Sequence, residues 1–127
     1  FIASLASTTT DRRAPVIEAM TAVETHEEAL LAHLLDALAA LPGVTLHGRP
    51  ARRTPTVLFT VAGHTPREVA AHLAGLGVNA PAGHFYALEA SRHAGLGDDG
   101  GVRAGLAPYS TREDVDRLLA GVRTLAR

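Results

Sequence analysis

Pro55-Thr56-Val57-Leu58-Phe59-Thr60-Val61-Ala62-Gly63-His64-Thr65-Pro66-Arg67-Glu68-Val69 holds a strand and the start of a helix in one short stretch. Thr56 to Val61 is β-branched and apolar, is entered through Pro55 and left at Gly63, and so predicts a strand. Thr65 then offers a hydroxyl N-cap, Pro66 fits the first helical position, and Glu68 completes a capping box. Val69, Leu73 and Leu76 repeat at helical spacing until Gly77 ends the run. A strand passing straight into a helix already makes this a mixed α/β chain.

Upstream, the pattern from about Asp11 to Leu41 is helical. Val16, Met20, Val23, Leu30, Leu34, Leu38 and Leu41 recur at three- and four-residue steps, and Leu31 and Leu35 widen the stripe. Glu18, Glu24, Glu27, Glu28 and Asp36 take mostly the other face. Pro15 belongs near the start of the regular helix, and Pro42-Gly43 stops it. At 1.5 Å per residue such a helix is about 45 Å long, more than a domain of this size needs, so one end is expected to reach past it. Phe1 to Thr10 reads as a loop or the end of an earlier helix. The chain opens on Phe1 with no Met and no signal-like segment, which reads as a piece of something longer.

Downstream, Val78 to Ala82 reads as a short strand, Ala87 to Ala94 as a weak helix, and Val102 to Pro108 as a third main strand. Val44 to Gly48 adds a short strand before the central one. Gly95 to Gly101, with Asp98 and Asp99, is an exposed loop. Ser110 is the expected cap of a last helix, with Glu113 in its capping box and Val115, Leu118, Leu119, Val122 and Leu125 on its inner face. Strands and helices alternate with mixed connections. The expected fold is therefore α/β, an α+β two-layer arrangement: a small, mostly antiparallel sheet with helices packed on one face, and a long N-terminal helix.

Composition narrows the function. The 127 residues are 46% apolar and 20% charged, as in one globular domain. Thirteen acids against twelve bases give a net charge of −1, so no electrostatic case for nucleic acid or a membrane surface arises. No apolar run approaches the ~18 residues of a membrane span. There is no cysteine, hence no disulfide, thiolate nucleophile or Cys-ligated metal. All twelve bases are arginine, so the chain has no side-chain amine for a Schiff base.

The seven histidines form no HxH, HxxxH or HExxH pattern, and no metal site is expected. Asp98-Asp99 lacks the ligand spacing of a calcium loop and reads as a solvated turn. The glycines at 95, 97, 100 and 101 follow a helix and precede a strand, the reverse of the order a phosphate cradle needs. Arg49, Arg52 and Arg53 read as a solvated connection, and no G-x-S-x-G elbow occurs. Arg103 stands out inside the apolar run Val102-Arg103-Ala104-Gly105-Leu106. It either points to solvent by ordinary alternation or acts as a fork for a carboxylate, and spacing does not choose.

Three segments carry a resemblance. Gly77-Val78-Asn79-Ala80-Pro81-Ala82-Gly83-His84-Phe85-Tyr86-Ala87, then Val102-Arg103-Ala104-Gly105-Leu106-Ala107-Pro108-Tyr109-Ser110-Thr111, then Glu113-Asp114-Val115-Asp116-Arg117-Leu118, follow a family order. The order is G-I-x-V-x-x-G-H-x-C-A, an R-x-S strand, and Y-N-T-x-E-E-[IV]-D. Together they resemble the C-terminal small domain of class V aminotransferase, cysteine desulfurase-like enzymes, which are fold type I pyridoxal-phosphate proteins. The likeness extends back through Arg53-Thr54-Pro55-Thr56-Val57-Leu58-Phe59 and the long helix.

The resemblance implies a division of labour. Residues 1–127 would be one C-terminal small domain of a larger enzyme, 11–41 its connector helix and 44–127 an αβ sandwich. Arg103 would hold the substrate α-carboxylate, and Gly83, His84, Phe85 and Tyr86 would form the active-site loop. Tyr86 stands where desulfurases keep their nucleophilic Cys, and Pro81 where many carry a second active-site Arg. Without that Cys, attack through an enzyme persulfide is not available, and Tyr86 is left as a proton relay or a pocket wall. Pyridoxal 5'-phosphate would be bound mainly by the large domain of the same protein, with none held covalently here, so this chain alone is expected to be inactive. The parent is expected to be a cytoplasmic homodimer, a transferase or lyase acting on an amino acid. Two other readings stand beside it: a free-standing α/β module binding a small carboxylate, and an oligomerisation domain. A cut domain should expose part of the stripe between Val16 and Leu38, whereas an evolved module should bury it.

Overall fold

The computed structural model describes residues 13–126. In chain order these form α1 (Arg13–Ala39), β1 (Val44–His47), β2 (Thr56–Val61), α2 (Pro66–Gly75), β3 (Ala82–Gly83), α3 (Leu88–His93), β4 (Gly101–Gly105) and α4 (Arg112–Leu125). The strands make one sheet in the order β1-β2-β4-β3, antiparallel throughout. Helices α1, α2 and α4 cover one face, giving the two-layer α/β arrangement that the periodicities predict. The expected loop at Phe1 to Thr10, and Asp11 and Arg12 of the expected helix, lie outside the described residues.

The alternation of β2 decides where the core sits. Val57, Phe59 and Val61 are buried, and Thr56, Leu58 and Thr60 face the other way. Leu34 and Leu38 from α1, Leu73 from α2, and Leu119 and Val122 from α4 close over them and are almost wholly buried. Each such side chain contributes about 1.5–3 kcal/mol relative to an exposed one. The capping box at Thr65 forms as expected, its hydroxyl accepting from the Glu68 amide while Glu68 accepts from the Thr65 amide. Gly121 lets α4 approach α2, since a β-carbon there would stand 2.7 Å from Leu73 Cδ2.

Several elements depart from expectation. The stripe of α1 is buried only in its second half: Met20 is 50% and Ile17 54% exposed, while Pro15 and Ala19 are buried instead. A helix of 27 residues is about 40 Å long, and strands of six residues or fewer cannot run beneath all of it. The strand expected at Val78 to Ala82 shrinks to Ala82–Gly83. Pro81 has no N–H for the ladder, and its carbonyl alone accepts from the Arg103 amide at 2.9 Å. β4 ends at Gly105 rather than Pro108, because the Ala107 amide turns to Ser110 Oγ. With that hydroxyl engaged, the cap of α4 is Thr111 with Asp114, not Ser110 with Glu113.

Candidate functional site

The face of the sheet away from α1, α2 and α4 carries the site. Strand alternation places Arg103 on it, exposed between buried Val102 and Ala104. Leu58 lies opposite Arg103 in register, and His47 lies opposite Leu58. A cavity of about 510 Å³ opens here, lined by Arg103, Arg53, His47, Leu58, His84 and Phe85 among others, and by no carboxylate. A second cavity of about 300 Å³ adjoins it, sharing His47, Leu58, His84 and Phe85 and bordered by Ala90 and Ser91 of α3. The short helix α3 therefore stands on the opposite face from the other three.

The loop after β3 is built by unusual backbone. Gly83 has φ 145°, and Phe85 and Tyr86 have φ 51° and 64°, the left-handed region that aromatic residues seldom enter. Each such residue costs on the order of 1–3 kcal/mol and persists only where its surroundings hold it. The Ala87 amide closes the turn onto the His84 carbonyl at 2.9 Å. Phe85 swings back across the sheet, its ring centroid 4.0 Å from Cζ of Arg103. Tyr86 projects outward, fully exposed. His84 is half-buried, with Nδ1 sealed from solvent and without a hydrogen-bond partner among the described residues. The structure thus brings together Arg103, Phe85, His84 and Gly83, and leaves Tyr86 outside the cavity.

Some of the arginines are paired and, among the described residues, Arg103 is not. Arg92 holds Asp98 through Nε at 2.7 Å and Nη2 at 3.1 Å and reaches Glu89 at 3.0 Å. That fork holds the Asp98 carboxyl below the usual carboxylate range and links α3 to the solvent-exposed turn that the sequence predicts. Arg112 and Arg117 pair with Asp116 and Asp114. Arg103 has no side-chain hydrogen bond or ion pair among the described residues, and its guanidinium lies over the Phe85 ring. An unpaired guanidinium fork beside a cavity without carboxylates can take an anion by two parallel hydrogen bonds.

Two lining residues escaped the sequence reading. Arg53, expected in a solvated connection, is half-buried: Nη2 donates to the Thr56 carbonyl at 2.6 Å, and Nε is buried without a partner among the described residues. Its place just before Thr54-Pro55, where the chain enters β2, is the signal that could have found it. His47 hydrogen-bonds Thr60 Oγ1 through Nε2 at 3.0 Å, and burial lowers its pKa, which favours the neutral ring. Among the described residues, no group of three or more His, Asp or Glu could hold a metal ion. No described helix is long and apolar enough to cross a membrane.

Comparison with known proteins bears on this geometry. Residues 17–118 match the family described as Aminotransferase class-V. The chain belongs to that family. It is 34% identical over 105 residues to a cysteine desulfurase of Pectobacterium atrosepticum, covering 83% of this chain and 25% of that protein. It is 38% identical over 104 residues to a probable cysteine desulfurase of Mycolicibacterium paratuberculosis, covering 82% of this chain and 15% of that protein. Among solved structures, the apo cysteine desulfurase of Thermococcus onnurineus superposes with TM-score 0.79 at 28% identity, over 90% of this chain and 28% of that one. The cysteine desulfurase CsdA of Escherichia coli gives TM-score 0.72 at 27% identity, over 94% of this chain and 32% of that one. The chain thus spans about a quarter of the length of the first of these relatives. Membership implies pyridoxal 5'-phosphate in the complete enzyme.

Proposed function

We propose that this chain is the C-terminal small domain of a pyridoxal-phosphate-dependent class-V aminotransferase or cysteine desulfurase-like enzyme acting on an amino acid. Arg103 takes the substrate α-carboxylate, and the loop from Gly83 to Tyr86 serves as part of the active-site lid. The observation that carries this reading is the unpaired Arg103 guanidinium at a cavity lined by Arg53 and two histidines and by no carboxylate. A planar guanidinium grips a carboxylate by two parallel hydrogen bonds.

The residues present do not fit the covalent anchoring of the cofactor, which needs a lysine amine that the sequence lacks. The reading therefore assigns the cofactor to the large domain of the same protein, as in a homodimeric parent, and assigns this chain binding, orientation and exclusion of water. When bound, the cofactor supplies the electron sink for chemistry at the amino acid's α-carbon. Tyr86, with its ring in solvent, is available to a partner surface and not to this cavity.

The test is Arg103→Ala in the complete enzyme. Amino-acid affinity should fall by about tenfold or more, as for loss of a charge-assisted pair, while cofactor loading is retained. Unchanged affinity for the amino acid would sink the assignment.

A further inference from the structure

We propose that Phe85 is the positioning residue for Arg103, holding the guanidinium flat so that its N–H edge faces an incoming carboxylate; this rests on the carboxylate reading of Arg103. The ring centroid lies 4.0 Å from Arg103 Cζ, a face-on distance. Stacking engages the face of a guanidinium, whereas a carboxylate engages its edge, so the two partners do not compete.

The backbone shows why the ring is there. Phe85 and Tyr86 are consecutive and both left-handed, yet their side chains part: Phe85 is half-buried over Arg103 and Tyr86 stands in solvent. Strain of that kind in a loop beside a cavity points to a task for the residue it places. The glycines on either side permit the turn, Gly83 at φ 145° and Gly100 packed against the Gly83 carbonyl. Arg103 needs the support. It is exposed, it has no side-chain hydrogen bond or ion pair among the described residues, and an unsupported arginine spreads over many rotamers. The ring restricts that spread without neutralising the charge. Phe85 is a positioning residue because it acts on the substrate only through Arg103.

The experiment uses the complete, cofactor-loaded protein. The twenty common L-amino acids are screened for binding, and the tightest is paired with the amine made by removing its carboxylate. Phe85→Leu should weaken the amino acid about tenfold. Phe85→Tyr should restore the affinity, and the decarboxylated amine should bind all three proteins alike. Arg103→Ala is run beside them. If no amino acid binds, or Arg103→Ala leaves the preference for the carboxylate intact, the carboxylate reading itself fails. If Arg103→Ala weakens the amino acid and Phe85→Leu does not, the positioning role alone fails. Equal loss for the amine, or a fall in turnover with affinity unchanged, also overturns it. Should Phe85→Leu not fold, the wild type still decides: the Arg103 side-chain protons should be shifted upfield by the ring in NMR spectra, and ordinary positions would refute the stack.

Discussion

The α-carbon of Gly100 lies against the backbone carbonyl of Gly83, so close that a β-carbon there would collide with that carbonyl and with the His84 amide. The start of β4 and the start of the site loop are therefore one packed unit. Gly100→Ala adds both a left-handed penalty at φ 69° and this collision, and should destabilise by about 2–5 kcal/mol in urea unfolding. Gly97→Ala is the control: its φ is 61°, but open space surrounds it, so only the backbone penalty of about 1–2 kcal/mol applies. Equal effects of the two would show that the contact with Gly83 is not what matters.

The cap of α4 gives a second prediction. Thr111 accepts from the Asp114 amide at 3.2 Å, and Asp114 accepts from the Thr111 amide at 2.9 Å. Thr111→Ala should cost about 1 kcal/mol, and Glu113→Ala less than about 0.5 kcal/mol. Thermal unfolding of the two variants separates them; a larger loss at Glu113 would return the cap to Ser110.

This cap and the sheet show how far the residues could be read. Thr56–Val61 and the box at Thr65 were legible because strand alternation and capping are local, and each competes with nothing nearby. Ser110 and Thr111 were not separable, since each is a hydroxyl residue with an acid three positions on. What decided between them was the Ala107 amide, which occupies the serine. Arg103 was visible as an oddity in an apolar strand, but its face follows from register with Leu58, a long-range pairing. The stack on Phe85 was beyond reach for the same reason, because it needs a left-handed turn at two aromatic residues that local preference disfavours.

Between α1 and α4, His33 Nε2 donates to Asp116 Oδ1 at 2.7 Å. That hydrogen bond first, then the charges of His33, Arg112 and Arg123, hold the Asp116 carboxyl below its ordinary range. A carboxyl depressed in the folded state adds stability above its unfolded pKa and loses it as pH falls through the folded value. The difference in stability between the wild type and Asp116→Asn should thus shrink in acid, as pH falls below about 4. Urea midpoints across pH 2–7 would check it, and a difference that grows in acid would contradict the sign.

The two halves of α1 should respond differently to substitution. Leu34 is 1% exposed, and Leu34→Ala should cost about 2–5 kcal/mol. Met20 is half exposed, and Met20→Ser should change stability by less than about 0.5 kcal/mol in this chain. Repeating the pair in the complete enzyme tests whether the outer half of the helix becomes buried there, since a larger Met20 effect would then appear.

The middle of the sheet has a consequence for how the molecule forms. β1 and β2 are neighbours in sequence and can pair early as a hairpin. β4 must come from far along the chain to slot between β2 and β3, and only that insertion brings Arg103 beneath Phe85. A chain arrested with its hairpin alone has secondary structure and no Arg103–Phe85 contact. That contact therefore reports that β4 has joined the sheet.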